Sequence, residues 1–404
     1  MRLVLVHQHF RTPERGGGLR TWHLVRALAA AGHTVDVVAG HNASQTRREV
    51  LPDACERVRL HYLPVPYDQR MSAAARQASF ARFLLRAFGE VGRMRRPDIV
   101  YTVTTPLTVP LVGLALHRLH RTPYVIEIGD LWPDVPIALG FVRSPLIRTA
   151  LRRMERTIYR RAALIVPYSP PIGAAVAERA PDVPQLIVPN VADCRFFEPP
   201  ARERGADAPG AFTVGYLGAA GFANHLDYLL DAAEACRRAL PDVRFVLMAE
   251  GAEWPQLRAR AAMLPNVRVV PFAGREGVRK WIRTVDACYV SFRPEPVLAT
   301  GCPNKFFDAL AAGKLSILNF GGWLRTLVEQ HRCGLYVDPE RPADFPIQLS
   351  PFLKDRELLL TYQRNARQLA ERRFDVPVLM TPLVEALSRV AAERKEAPGY
   401  SSGL

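Results

Sequence analysis

A segment late in the chain, Thr300–Gly301–Cys302–Pro303–Asn304–Lys305, gathers the residue types that hold an anion, and Asp308 follows one turn on. A helix starting near Pro303 aims unpaired N–H groups outward, Gly301 admits a ligand close to the backbone, and Lys305 adds a cation. Asp308 is a carboxylate on the same helix, an acceptor for hydroxyl hydrogen bonds. An ordinary solvated first turn would use some of these residues, but here proline, asparagine, lysine and acid coincide. A second group is Glu127–Ile128–Gly129–Asp130–Leu131–Trp132. Asp130 follows a predicted strand, so it stands at the strand's carboxyl end, where an ionised carboxylate orients or deprotonates a hydroxyl. It would equally cap the turn before Pro133. Trp132 reads either as a stacking platform or as core.

A third group is Gly16–Gly17–Gly18, before a run in which Trp22, Val25, Leu28 and Ala29 recur at helical spacing. Strand, glycine loop, helix and strand suggest a nucleotide-binding half, but not one for a dinucleotide. That fingerprint sets its glycines tight against the first strand and an acid about 20 residues on. Here His7 to Arg15 intervene, and the second strand ends in Ala39–Gly40–His41. The loop is read as facing a different ligand, with plain flexibility as the alternative.

These groups need a frame, and the patterning supplies two. Strands are expected at 2–6, 34–39, 98–103, 123–128 and 163–167, with helices near 20–31, 76–93, 107–119 and 146–161. After the Pro- and charge-rich stretch Phe197 to Pro209, strands are expected near 212–217, 243–248, 267–271, 286–291, 315–319 and 335–337. Helices fall between them near 225–239, 253–263, 276–284, 303–312 and 323–330. Such alternation predicts two Rossmann-like α/β halves with parallel sheets, facing each other across a ligand-binding cleft. The first half covers 1–196 and the second 210–372; a last helix at 373–392 crosses back, and 393–404 is expected to be disordered.

Composition removes several function classes. The 404 residues are too many for one ordinary core. Six scattered cysteines (55, 194, 236, 288, 302, 333) form no Cys-x-x-Cys pair, which argues against a zinc site or disulfide framework and for a reducing cytosol. The N-terminus runs straight into a strand, so no secretory signal is expected, and the apolar stretch Pro106 to Leu116 is too short to span a bilayer. Net charge is +15, and between Arg70 and Arg161 sixteen arginines face six acidic residues. Over 76–93, Phe80, Leu84, Ala87, Phe88 and Val91 share one helical face, and Arg82, Arg86 and Arg93 another. Over 146–161, Ile147, Ala150, Leu151, Met154 and Ile158 form a stripe beside Arg148, Arg152 and Arg156. Basic amphipathic helices suit an anionic membrane surface; ordinary surface helices are the alternative. No nucleic-acid-binding module accompanies the charge, so nucleic acid is not an expected partner.

The chain resembles the family 4 glycosyltransferases of the GT-B fold. The resemblance rests on Gly16–Gly17–Gly18 before a helix, on Ala31–Gly32–His33 with Val35, Val37 and Val38, and on Val188–Pro189–Asn190–Val191–Ala192–Asp193. It rests also on the run Pro303 to Lys314. Pro97–Asp98–Ile99–Val100 and Asp130–Leu131–Trp132–Pro133–Asp134 are similar to bacterial L-fucosamine (amino-sugar) transferases of surface-polysaccharide assembly.

The resemblance implies a retaining transferase that moves a sugar from a nucleoside-diphosphate donor, UDP-linked, to a saccharide or lipid-linked acceptor. It implies a cytoplasmic enzyme, peripheral on the membrane's inner face, with no cofactor and no metal. Catalysis then falls to Asp130 and Lys305, and acceptor binding to Gly17, Gly18, Arg20 and Trp132. Donor binding falls to Gly218, Gly221, Glu250, Gly251, Arg275, Gly301, Cys302, Asn304, Lys305 and Asp308. The sequence departs from the family pattern at three places. Thr300 and Asp308 stand where two glutamates are usual; Ala219 and Asn224 stand where Arg and Lys are usual; and Tyr101–Thr102–Val103–Thr104–Thr105–Pro106 lacks the usual histidine. A soluble-metabolite transferase, a non-hydrolysing nucleotide-sugar epimerase and a non-catalytic sugar-nucleotide binder are the rival readings.

Overall fold

The structure, a computed structural model, describes residues 1–15, 18–51, 56–68, 71–198 and 211–396. Internal contacts divide the chain into two units. Unit 1 is Met1–Thr12, Gly18–Pro189 and Leu379–Leu404; unit 2 is Pro13–Gly17 and Asn190–Val378.

Unit 1 is built on β1 (Arg2–Val6), β2 (Thr34–His41), β3 (Arg47–Val50), β4 (Val58–Pro64), β5 (Ile99–Val103), β6 (Tyr124–Ile128) and β7 (Leu164–Pro167). They form one sheet in the order β3-β4-β2-β1-β5-β6-β7, parallel except for β3 against β4. Residues 3–6 and all of β5 and β6 are buried, the continuous apolar runs of strands covered on both faces. The helices are α1 (Arg20–Ala30), α2 (Ala73–Gly92), α3 (Pro110–His120), α4 (Asp134–Ala138), α5 (Pro145–Tyr159) and α6 (Pro170–Arg179). Two starts are set by capping hydroxyls that satisfy unpaired N–H groups. Ser72 accepts from the Ala75 N–H at 3.3 Å and Ser169 from the Ile172 N–H at 3.2 Å.

Unit 2 carries β8 (Phe212–Ala219), β9 (Val243–Glu250), β10 (Val267–Val269), β11 (Ala287–Val290), β12 (Leu315–Leu318) and β13 (Gly334–Tyr336). Their order is β10-β9-β8-β11-β12-β13, all parallel. Its helices are α7 (Asp227–Ala239), α8 (Trp254–Ala261), α9 (Arg275–Thr284), α10 (Asn304–Ala311), α11 (Trp323–Gln330), α12 (Phe345–Lys354) and α13 (Arg356–Leu369). The core packs Tyr216, Phe245, Tyr289, Ile317 and Leu349 between sheet and helices. A final helix, α14 (Val376–Glu396), belongs to unit 1 from Leu379 on, where Ser388 Oγ meets His33 Nε2 at 3.2 Å.

Both parallel sheets answer to the expected alternation, with instructive differences. The divide falls between Pro189 and Asn190 rather than after 196, because Asp193 is ion-paired to Arg275 and Ala192 bridges Asp375, all within unit 2. Strand β4 went unread because His61 interrupts its apolar run; here that ring is buried between Asp36 at 3.1 Å and Glu90 at 3.0 Å. The expected tail from Glu393 is helical through Glu396, and 397–404 lie outside the described residues. On α5 the buried residues are Glu155, Ile158 and Tyr159, and of the apolar stripe Ile147 and Ala150 face solvent.

Candidate active site

In unit 2 the loop after β11 leads into α10, which starts at Asn304, one residue later than expected, with no side chain capping it. Asn304 is exposed, while Lys305 and Asp308 are half-buried one turn apart. With Gly215, Leu217, Cys288 and Tyr289 they line a cavity of about 10 Å³, room for about one water. Burial pushes the Lys305 ammonium down to about 8, with Asp308 opposing, and the Asp308 carboxyl up to about 7. Lys305 Nζ also lies 5.1 Å from the centroid of the Tyr216 ring. Gly218, at φ +147°, makes the room: a Cβ there would sit 2.5 Å from Lys305 Cε.

The other residues expected to bind the donor separate into those free to meet a ligand and those committed to the fold. Gly221 is open, the nearest atom to an added Cβ being Asn224 Oδ1 at 3.8 Å. Glu250, the last residue of β9, is exposed. Three residues do not stand as free ligand contacts. Gly251, at φ +150°, is buried against the Ala220 backbone, whose carbonyl oxygen would lie 2.4 Å from a Cβ. Cys302 is buried, its sulfur accepting the Asn190 N–H at 3.2 Å and its carbonyl the Asn190 side-chain amide. Arg275 pairs with Asp193 at 2.7 Å and stacks on Phe196 at 4.2 Å, so it reaches Asp308 only through its field. The Gly301 carbonyl accepts from Trp323 Nε1 at 2.9 Å, fixing the turn before α10. Asn224 stitches its own loop, accepting the Gly221 N–H and donating to the Ser291 carbonyl, each at 3.3 Å.

A larger cavity of about 340 Å³ opens beside Ala299 at the carboxyl ends of β11, β12 and β13. Arg293, Glu295, Phe320, Tyr336 and Asp338 are among its walls. The expectation missed Arg293, which lies 3.8 Å over the Phe222 ring and 3.4 Å from Glu253. Among the described residues no group of three or more His, Cys, Asp or Glu is arranged to hold a metal ion.

In unit 1, Asp130 stands two residues past the end of β6, exposed and without a side-chain partner among the described residues. Desolvation by the surrounding protein raises its carboxyl from the ordinary aspartate value. Trp132 is half-buried, its ring edge-on to Phe80 at 6.2 Å. Gly18 is exposed, and Gly17 lies outside the described residues. Arg20 corrects the expectation. It is 3% exposed, with Nε 3.0 Å from the Glu127 carboxylate and Nη1 donating to the Pro189 carbonyl. Tyr101 and Tyr168 hydroxyls donate to the same carboxylate, and Arg20 lies 4.4 Å over the Tyr168 ring. This buried pair fastens the start of α1 to β6, and among the described residues Nη2 has no partner. His7 directly follows β1 and His9 stands two residues further on, where functional side chains of such folds gather; neither was among the expected site residues.

Residues 15–191 match the family model described as a glycosyl transferase 4-like domain, and residues 211–355 the model described as glycosyl transferases group 1. Together the two models take in well over half of the chain. With two parallel-sheet α/β units, this places the protein among the GT-B glycosyltransferases; it belongs to those that join a family 4-like domain to a group 1 domain.

Solved structures agree on the fold. Sucrose-phosphate synthase from Thermosynechococcus elongatus is 18% identical over 97% of this chain and 99% of its own, with a TM-score of 0.78. HepE from Anabaena, solved with UDP-glucose, is 16% identical over 96% and 100%, with a TM-score of 0.64. WaaG, a glycosyltransferase involved in lipopolysaccharide biosynthesis, is 15% identical over 96% and 99%, with a TM-score of 0.65. No match was found among curated protein sequences.

Proposed function

We propose that the protein transfers a sugar of the amino-sugar (N-acetylhexosamine) class from a UDP-linked donor to a hydroxyl of a lipid-linked saccharide, with retention at the transferred carbon. The observation that carries the reading is the start of α10, where Lys305 and Asp308 stand one turn apart beside Gly218. In this reading Lys305 neutralises the departing diphosphate without a metal, and Asp308 accepts hydrogen bonds from the ribose hydroxyls. The cavity beside Ala299, next to Thr300, supports a sugar held without the usual first glutamate. Structures solved with UDP and UDP-glucose in the same fold support the choice of nucleotide. Acceptor-dependent release of UDP from a panel of UDP-sugars tests the reading. Epimerised donor without acceptor, binding without turnover, or turnover only on a soluble metabolite would each replace it by the corresponding rival.

The pH dependence of UDP binding is a closer check. An anion beside Lys305 stabilises its charged form, so above about pH 8 binding must also bring a proton to Lys305. Affinity measured by calorimetry is therefore expected to fall above that pH, approaching about tenfold per unit. Lys305→Arg, which keeps its charge, is expected to flatten the fall. A flat wild-type profile would remove Lys305 from the diphosphate.

The lipid-linked acceptor is proposed to be met at an anionic membrane surface through unit 1. No helix is long and apolar enough to cross a membrane among the described residues. Instead Leu85 on α2 is 71% exposed, Leu146 and Ile147 on α5 are 82% and 54%, and Phe141 before α5 is 51%. Arg76 lies 5.3 Å over the Phe141 ring, so α2 and the start of α5 adjoin. Arg82, Arg86, Arg153 and Arg156 are exposed. Nearby acids are engaged elsewhere, Glu90 by Arg48 and His61, and Asp134 and Glu155 by Arg179. Arg148 and Arg152 serve less well than expected, one donating to the Val142 carbonyl and the other reaching Asp134 at 3.5 Å. At about 1 kcal/mol per basic residue, adhesion is reversible and salt-sensitive. Co-sedimentation with anionic but not neutral vesicles is expected, weakened by Arg82, Arg86, Arg153 and Arg156→Ser and by Leu146, Ile147→Ser. Equal binding to both vesicles, or to neither, would return the acceptor to solution.

A further inference from the structure

We propose that an aromatic corner of unit 1, made by His9, Tyr67 and Trp132, holds a neutral sugar ring of the acceptor, with His9 Nε2 hydrogen-bonded to one of its hydroxyls. The inference rests on the transferase reading and adds to it the class of group that unit 1 recognises. The three rings follow β1, β4 and β6 in the chain, at the carboxyl edge of one sheet, and Trp132 shares its loop with Asp130. The His9 and Tyr67 centroids lie 4.4 Å apart, Tyr67 stacks on Phe80 at 5.9 Å, and Phe80 meets Trp132 at 6.2 Å. Phe80 is buried and completes the core, whereas the other three rings are half-exposed. The corner therefore keeps apolar faces in contact with solvent, which suits the C–H face of a saccharide.

Among the described residues, two polar atoms at this corner are buried without a partner, His9 Nε2 and Gln8 Oε1. The orientation of the Gln8 amide follows from its neighbour. Ser79 Oγ donates to the Pro66 carbonyl at 2.9 Å, so it accepts from Gln8 Nε2 at 3.3 Å, leaving the carbonyl oxygen over. Each orphaned group carries an uncompensated desolvation cost until something fills it. Burial, together with His7 and Arg11, drops the His9 imidazole to about 3, so the ring is neutral at ordinary pH. A neutral imidazole and a lone carbonyl oxygen want a partner that both donates and accepts. A hydroxyl does both, whereas a phosphate or carboxylate only accepts. Arg11 is a nearby charge that would favour an anion instead, so the experiment includes one.

The test is ligand-observed saturation-transfer NMR on the full chain with saturating UDP, using methyl glycosides of neutral hexoses and N-acetylhexosamines, and glucose 6-phosphate. Saturable binding of at least one glycoside is expected, with the phosphate no tighter. His9→Phe keeps the stacked ring and loses the nitrogen, and is expected to weaken that glycoside about tenfold, the loss of one good hydrogen bond. Its UDP affinity is expected to stay unchanged, which a general loss of folding would not allow. Trp132→Leu is the second variant and is expected to act in the same direction. Absence of glycoside binding, tighter binding of the phosphate, or a His9→Phe protein that binds like wild type would each overturn the proposal. Failure of wild-type UDP binding would instead fell the transferase reading on which it stands.

Discussion

Lys305→Ala is expected to lower turnover by roughly two to three powers of ten, the scale for removing one preorganised electrostatic stabiliser. The magnitude follows from where the ammonium stands. It is half-buried on the first turn of α10, against the Tyr216 ring and in a space that only a glycine at 218 leaves open. A cation held there is desolvated already, as the fall to about 8 records, so charge developing on a leaving diphosphate meets it with little reorganisation. Arg275 is a poor substitute, because its guanidinium is committed to Asp193 and Phe196. Asp308→Ala should differ in kind, weakening donor binding more than it slows transfer, since a ribose contact is made equally in ground and transition states. Gly218→Ala keeps the formal charge of Lys305 but sets a Cβ 2.5 Å from its Cε and 3.2 Å from its Nζ. It does so on a backbone at φ +147° that strains any side chain, and is expected to reproduce part of the Lys305→Ala loss. Near wild-type rates in Lys305→Ala, measured as acceptor-dependent UDP release, would remove the start of α10 from the chemistry.

The parts of this protein legible in its sequence are those where one physical rule acts locally. Strands such as Ile99–Val103 and Tyr124–Ile128 are apolar throughout because both sheet faces are covered, and each is followed by a helix, so two parallel sheets could be read directly. Lys305 and Asp308 were legible for the same reason, since a helix start and a one-turn spacing are local facts. What escaped depends on partners far away in the chain. Cys302 looked like part of the ligand loop until Asn190, 112 residues earlier, was found holding it. Arg20 looked free until Glu127, 107 residues on, was found beneath it. His61 hid β4 because a histidine inside a strand reads as an interruption unless its two carboxylates are known. On α5 spacing gave the apolar stripe but not how far it is covered: Ile158 is buried, whereas Ile147, with Leu146 beside it, is exposed.

Asp130→Asn is expected to leave UDP binding unchanged and to cut transfer by about two powers of ten, the range for one positioned acid or base. Its location separates the two effects. Asp130 lies in unit 1, three residues after the carboxylate that Arg20 and two tyrosine hydroxyls immobilise, so its backbone is fixed while its own side chain is exposed and has no partner among the described residues. Gly129 allows this close packing, since a Cβ there would stand 3.0 Å from the Tyr168 ring. Desolvation raises the Asp130 carboxyl, which makes it a better proton acceptor than an ordinary surface aspartate once ionised. Asparagine keeps the shape and removes both the charge and the basicity. If Asp130 only orients the acceptor hydroxyl, the pH profile of the residual activity should keep its acidic limb; if it takes the proton, that limb should vanish with the carboxylate. Loss of UDP binding in a folded Asp130→Asn protein would assign the residue to the donor instead. Unchanged transfer would leave Asp130 as the cap of its own turn.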